Sequence, residues 1–308
     1  MTTPTTPPPA APANSSKGSF KKGLGWFVVI LLALFAGSAL MGRFFGNGEF
    51  DGREKIALVE VTGVIMDSGD IVRQLSQYRR DDEIKAIVLR VDSPGGGVAP
   101  SQEIYEEVLR IRAGNKKIYT SMGSMAASGG YYIACPTDRI FANPGTLTGS
   151  IGVIMAFSNA SELIGKIGIK PEVIKSGKYK DIGSPTRAMT KAERKHMQKV
   201  SDDVHDQFIT AVSEGRGLAM KAARKLSDGR VFTGRQAMNY KLVDDLGGLE
   251  ETIQQLAQAI GIQGRPRIVV EKPESSLLEM LMGARMTESL ETSLWPTQLP
   301  RLLYLWLP

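Results

Sequence analysis

The chain has 308 residues, enough for one large domain or two modest ones, and an ordinary balance of 42% hydrophobic and 23% charged residues that excludes a wholly disordered protein. The formal net charge is +6, but Lys and Arg alternate with Asp and Glu, and no basic run is interleaved with stacking aromatics, which argues against a nucleic-acid surface. Cys135 is the single cysteine, so no intrachain disulfide can form.

Residues 1–16 are Pro, Thr, Ala and Ser apart from Met1 and Asn14, a composition that buries little apolar surface and predicts disorder. Lys17, Lys21 and Lys22 follow, and Gly23–Gly42 is then uncharged and mostly apolar. A helix of that length spans roughly 30 Å, the thickness of a hydrocarbon core. The lysines place residues 1–22 in the cytoplasm and everything after Arg43 outside. Small residues at Gly37-Ser38-Ala39 also allow a cleaved signal peptide. The apolar run continues past them, which favours an uncleaved anchor.

A folded domain is expected over 55–271, with alternating strands and helices. Ile56–Val61 reads as a strand, Ile71–Arg80 as a helix and Ile84–Val91 as a buried strand broken by DSPGGG. A helix over Ser101–Arg112 and a strand over Lys117–Ser121 lead into SMGSMAASGGYYIA. Arg139–Ala142, Ile151–Phe157 and Glu172–Lys175 are further strand candidates. This alternation predicts an α/β fold with a mostly parallel sheet. The second half is helical: Thr190–Glu193 and Thr233–Gln236 are capping boxes, the first opening a helix to about Glu214, and Glu250–Ile260 is another helix. Residues 272–308 form a Pro- and Leu-rich tail ending RLLYLWLP, too short to cross a bilayer and suited to a packing or partner contact.

Three segments place glycines and small residues directly after strands: Ser93–Val98, Ser121–Tyr132 and Gly145–Gly152. Glycine there brings backbone N–H groups close to a ligand, and in α/β sheets ligands sit at the carboxyl ends of strands. Neither a dinucleotide fingerprint nor a P-loop is present. Ser128, flanked by Ala126, Ala127, Gly129 and Gly130, has the accessibility and turn of an exposed nucleophile, which needs a base. His196 and His205 lie on a charge-rich helix outside these loops, and Cys135 follows an apolar stretch and reads as packed. Neither a metal nor a cofactor is expected.

A lysine is the remaining base. Lys180 lies in the irregular segment SGKYKDIGSP, with Lys175 and Lys178 as competitors. To act as a base it must be neutral, a pKa drop of about three units or about 4 kcal/mol. Backbone N–H groups of Gly96 and Gly129 are candidates for an oxyanion hole, and Asp92 reads as a loop or cap residue.

Together the segments SPGGG (Ser93–Gly97), SMGSMAASGGYY (Ser121–Tyr132), TGSIGVI (Thr148–Ile154), SGKYKDIGSP (Ser176–Pro185) and DGRVFTGRQA (Asp228–Ala237) resemble the short form of the signal peptide peptidase A family. These are bacterial serine–lysine peptidases with a crotonase- and Clp-protease-like fold. The resemblance implies Ser128 as nucleophile, Lys180 as general base, and Gly96 and Gly129 as oxyanion donors. It also implies a ring- or dome-shaped homo-oligomer on the membrane, with serine and lysine of one site from neighbouring subunits. The implied substrates are remnant signal peptides and other short hydrophobic peptides. Two other readings remain: a crotonase-type hydratase or thioesterase acting on coenzyme A esters, which usually needs paired carboxylates that Ser121–Tyr132 lacks, and a non-catalytic membrane scaffold of the same fold.

Overall fold

The computed structural model describes residues 54–271 and the backbone of Leu303–Leu305. The expected cytoplasmic segment 1–22, the anchor 23–42 and most of the tail 272–308 lie outside the described residues. Among the described residues, no helix is long and apolar enough to cross a membrane.

β1 (Lys55–Thr62) and β2 (Ile84–Ser93) are parallel neighbours, in register from Ile56 opposite Ala86 to Thr62 opposite Asp92. Both are apolar almost end to end because the sheet is covered on both faces. Ala57, Val59 and Val61 of β1 join Ile87, Leu89 and Val91 of β2 in one core. Helices α1 (Gly69–Arg80), α2 (Val98–Ala113), α3 (Gly129–Ala134) and α5 (Lys191–Gly215) contribute to that core. On the opposite face Ile56, Leu58, Ala86 and Val88 meet Ile253, Leu256 and Ala257 of α8 (Leu249–Ala259). Each fully buried Ile or Leu contributes about 1.5–3 kcal/mol.

The main sheet runs β7 (Val231–Thr233), β6 (Leu147–Gly149), β4 (Lys117–Ala127), β2, β1, β9 (Arg267–Val270). β5 (Arg139–Ala142) also pairs with β4, and β8 (Asp245–Leu246) with β5. Within this sheet only the β6–β7 pair is antiparallel. The expected mixed α/β architecture with a mostly parallel sheet is therefore present. Both capping boxes form as well, Thr190 with Glu193 at the start of α5 and Thr233 with Gln236 at α7 (Gly234–Asn239).

Three segments depart from expectation. β4 runs to Ala127, six residues beyond Ser121, because its pairing with β2 slips: Val91 faces Met122, but Ser93 faces Ala126. The intervening bulge is tied by the Asp92 carboxylate, which accepts the Met125 N–H at 3.0 Å, and a Cβ on Gly123 would stand 2.6 Å from Asp92 Cγ. The second departure is that Ile151–Phe157 and Glu172–Lys175 form no strand. No residue from Gly152 to Ala192 is buried, so the apolar side chains there have no sheet to join. The segment instead contains a short helix, α4 (Ser161–Lys166), with no buried residue. The third is at the DSPGGG loop, where β3 (Gly95–Gly97) pairs antiparallel with β10 (Leu303–Leu305).

Candidate active site

At the carboxyl end of β2 the chain turns through Ser93–Gly97. The Ser93 hydroxyl accepts the Gly95 N–H at 3.0 Å. Ile65 then brackets the glycines, donating its N–H to Gly95 O at 2.9 Å and accepting the Gly97 N–H at 2.7 Å. A Cβ on Gly96 would lie 2.0 Å from the Ile65 carbonyl oxygen, so only glycine fits.

The neighbouring strand, β4, ends at the same level on Ser128. Its φ of 52° is a conformation that side chains rarely adopt and that costs about 1–3 kcal/mol. Two contacts hold it: the Ser128 N–H donates to Gly149 O, and the Ser128 carbonyl accepts the Tyr132 N–H, both at 2.8 Å. The Gly149 contact accounts for the third glycine-rich segment, whose chain must pass close to Ser128. A Cβ on Gly149 would meet the Phe232 ring at 2.5 Å.

Ser128 is thus the N-cap of α3, and Gly129 opens the helix, its N–H without a helical acceptor. A Cβ on Gly129 would stand 3.1 Å from Gly96 N and 2.7 Å from Ser101 Oγ, and one on Gly130 would be 2.8 Å from Ser93 O. The two candidate oxyanion residues are therefore in contact, with Ser128 beside them. The hydroxyl itself is buried, and among the described residues its Oγ has no hydrogen-bond partner. An unpaired buried hydroxyl costs about 1–3 kcal/mol. Strain, burial and an unpartnered hydroxyl coincide in this one residue, held in a fixed frame.

Lys180 is elsewhere. It lies in an exposed turn, its N–H donating to Gly177 O at 3.1 Å, and within one chain its amine makes no bond to Ser128. Its competitors are engaged: Lys175 donates to Asp181 at 2.5 Å, and Lys178 Nζ lies 5.5 Å from the Tyr179 ring centroid. No side-chain bond or ion pair of Lys180 occurs among the described residues. Neither histidine bonds Ser128 either: His196 stacks on Tyr179, and the buried His205 Nε2 has no partner among the described residues. Burial pushes the Cys135 thiol far up from its ordinary value, so it is no nucleophile.

A cavity of about 540 Å³ lies beside the Lys180 segment, lined by Met155, Phe157, Gly183, Arg187, Met189 and Met197 among others. Along β3, Tyr304 stands opposite Gly96 in the antiparallel pair, so an extended backbone already rests on the glycine edge. Sequence reading missed this pairing and the Arg187 network described below, because both join residues far apart in the chain or hidden in irregular turns.

The family model described as Peptidase family S49 matches residues 110–263, a span that includes Ser128, Gly129 and Lys180. A Synechocystis protein provisionally named a protease is 43% identical over 212 residues, covering 68% of this chain and 76% of that one. One from Enterococcus faecium, provisionally named signal peptide peptidase SppA, is 36% identical over 80% of this chain and 77% of its own. Protease 4 of Salmonella typhi is 34% identical over 78% of this chain, but only 40% of that longer protein is matched.

Proposed function

The chain belongs to peptidase family S49 and is a serine peptidase, and on that premise we propose that Ser128 is its nucleophile and Lys180 its general base. Neutral Lys180 takes the hydroxyl proton as Ser128 Oγ attacks the peptide carbonyl. The oxyanion is held by the N–H groups of Gly96 and Gly129. The protonated amine then gives its proton to the leaving nitrogen, and water, deprotonated by the same amine, releases the acyl group and restores Ser128.

The observation that carries this reading is the buried, strained Ser128 hydroxyl, unpartnered among the described residues and set against Gly96 and Gly129. A lysine from a neighbouring copy fits that arrangement. Leu163, Ile167, Ile169, Val173 and Ile174 are exposed around the Lys180 turn, an apolar surface that a second copy would cover. Such docking would also remove the amine from water, as a neutral base requires. The proposed assembly is a ring- or dome-shaped homo-oligomer, of crotonase- and Clp-protease-like subunits, anchored outside the membrane by the apolar segment 23–42.

Peptide is the proposed substrate, in the form of remnant signal peptides and other short hydrophobic peptides. The β3 edge accepts an extended backbone, and strand addition gives affinity independent of sequence. Exposed Val64 and Met66, flanking the Ile65 that brackets Gly96, offer apolar side-chain contacts.

Product mass spectrometry on a panel of short hydrophobic peptides tests the pair. Ser128→Ala and Lys180→Ala should each lower turnover by about 10³-fold or more. A serine-reactive phosphonate should label Ser128 in the intact protein. Retained turnover in either variant removes that residue from the mechanism.

A further inference from the structure

Asp181 follows Lys180 directly, and its side chain is only 12% exposed in an otherwise open segment. Its carboxylate accepts from Lys175 Nζ at 2.5 Å and from Arg187 Nε at 2.8 Å. Arg187 also donates to the Asp181 carbonyl at 3.3 Å and grips both oxygens of Glu193, at 2.9 and 2.5 Å. Glu193 in turn accepts from the N–H and hydroxyl of Thr190, at 2.8 and 3.0 Å, closing the capping box of α5. One planar guanidinium therefore ties the turn that carries Lys180 to the first turn of a 25-residue helix.

The electrostatics are as specific as the geometry. A bare carboxylate beside Lys180 would stabilise its ammonium, the wrong state for a base. Arg187 and then Lys175 saturate Asp181 with hydrogen bonds and hold it well below the usual carboxylate range. Arg187 likewise holds Glu193 down at about 2. Lys178 and Tyr179 lie on the turn itself, His196 of α5 stacks on Tyr179 at 5.4 Å, and Arg194 of α5 lines the adjoining cavity.

Resting on the reading of Lys180 as base, we infer that Arg187 is its positioning residue: it fixes the turn presenting the amine and covers the neighbouring carboxylate charge.

The test is kcat and KM against pH for the full-length protein in detergent, as wild type, Arg187→Ala, Arg187→Lys and Asp181→Asn. His196→Gln is included because imidazole titrates in the same range. Arg187→Ala should lower kcat about tenfold or more with KM within about twofold, and should move the acid limb of kcat up by about one pH unit. Arg187→Lys should recover part of the limb position, since it restores charge without the fork. Asp181→Asn, lacking the carboxylate, should move the limb the other way. The inference is overturned if Arg187→Ala leaves kcat and the limb at wild-type values. It is equally overturned if kcat falls while the limbs of Arg187→Ala and Asp181→Asn both stay in place, which is the mark of a purely structural tie. Lys180→Ala, measured alongside, separates the two questions: activity surviving in it defeats the base assignment itself.

Discussion

At Gly96 an added methyl group would collide with backbone, 2.0 Å from the Ile65 carbonyl oxygen, and neither partner can rotate away. Gly96→Ala must therefore shift β3 and with it the proposed oxyanion donor. Turnover should fall about 10²- to 10³-fold, the size seen when one such donor is lost. Gly145→Ala is the matched control, since a Cβ there meets nothing within 4 Å, and its peptidase rate should equal wild type. Equal rates in both variants would show that the β3 frame is not part of the site. Ser128 stands out in the sequence as a candidate because Ala126, Ala127, Gly129 and Gly130 surround it with small residues, and the structure packs all four tightly at the end of β4. The lysine was not legible from spacing. Lys175, Lys178 and Lys180 share one irregular stretch, and the contacts of Lys175 with Asp181 and of Lys178 with the Tyr179 ring leave Lys180 as the proposed base. Arg187 was invisible in the same way: its partners Asp181 and Glu193 lie six residues away on either side, with no periodicity to mark them.

Among elements, the strands of the sheet centre were legible because two covered faces force continuous apolar runs, as in Ile56–Val61 and Ile84–Val91. Both capping boxes were legible because their chemistry is local. Ile151–Phe157 and Glu172–Lys175 misled for the opposite reason: apart from the buried Ile151, their apolar residues stay wholly or partly exposed, where periodicity says nothing about pairing. The bulge in β4 depends on Asp92, a tertiary contact. So does β10, whose three residues lie some two hundred positions from the glycines they pair with. That pairing has a kinetic consequence. The strand at Leu303–Leu305 occupies the edge proposed for substrate, so deleting residues 303–308 should lower KM for short peptides severalfold and leave kcat near wild type. An unchanged KM would mean that peptide substrates use another edge.

The described residues form one well-packed body interrupted by one open segment. β1, β2 and β4 bury both faces, whereas from Gly152 to Ala192 nothing is buried. The packed body holds Ser128 with Gly96 and Gly129, and the open segment holds Lys180. An open segment rich in exposed Leu, Ile and Val suits a surface completed by another copy. Complementation tests that division most directly. Ser128→Ala and Lys180→Ala proteins, each inactive alone, are dissociated, mixed and reassembled, and peptide cleavage is measured against the unmixed controls. Mixing should restore a substantial fraction of wild-type turnover, because some interfaces then join an intact Ser128 to an intact Lys180 from the neighbouring chain. Mixed assemblies that form and stay as inactive as their parents would contradict it.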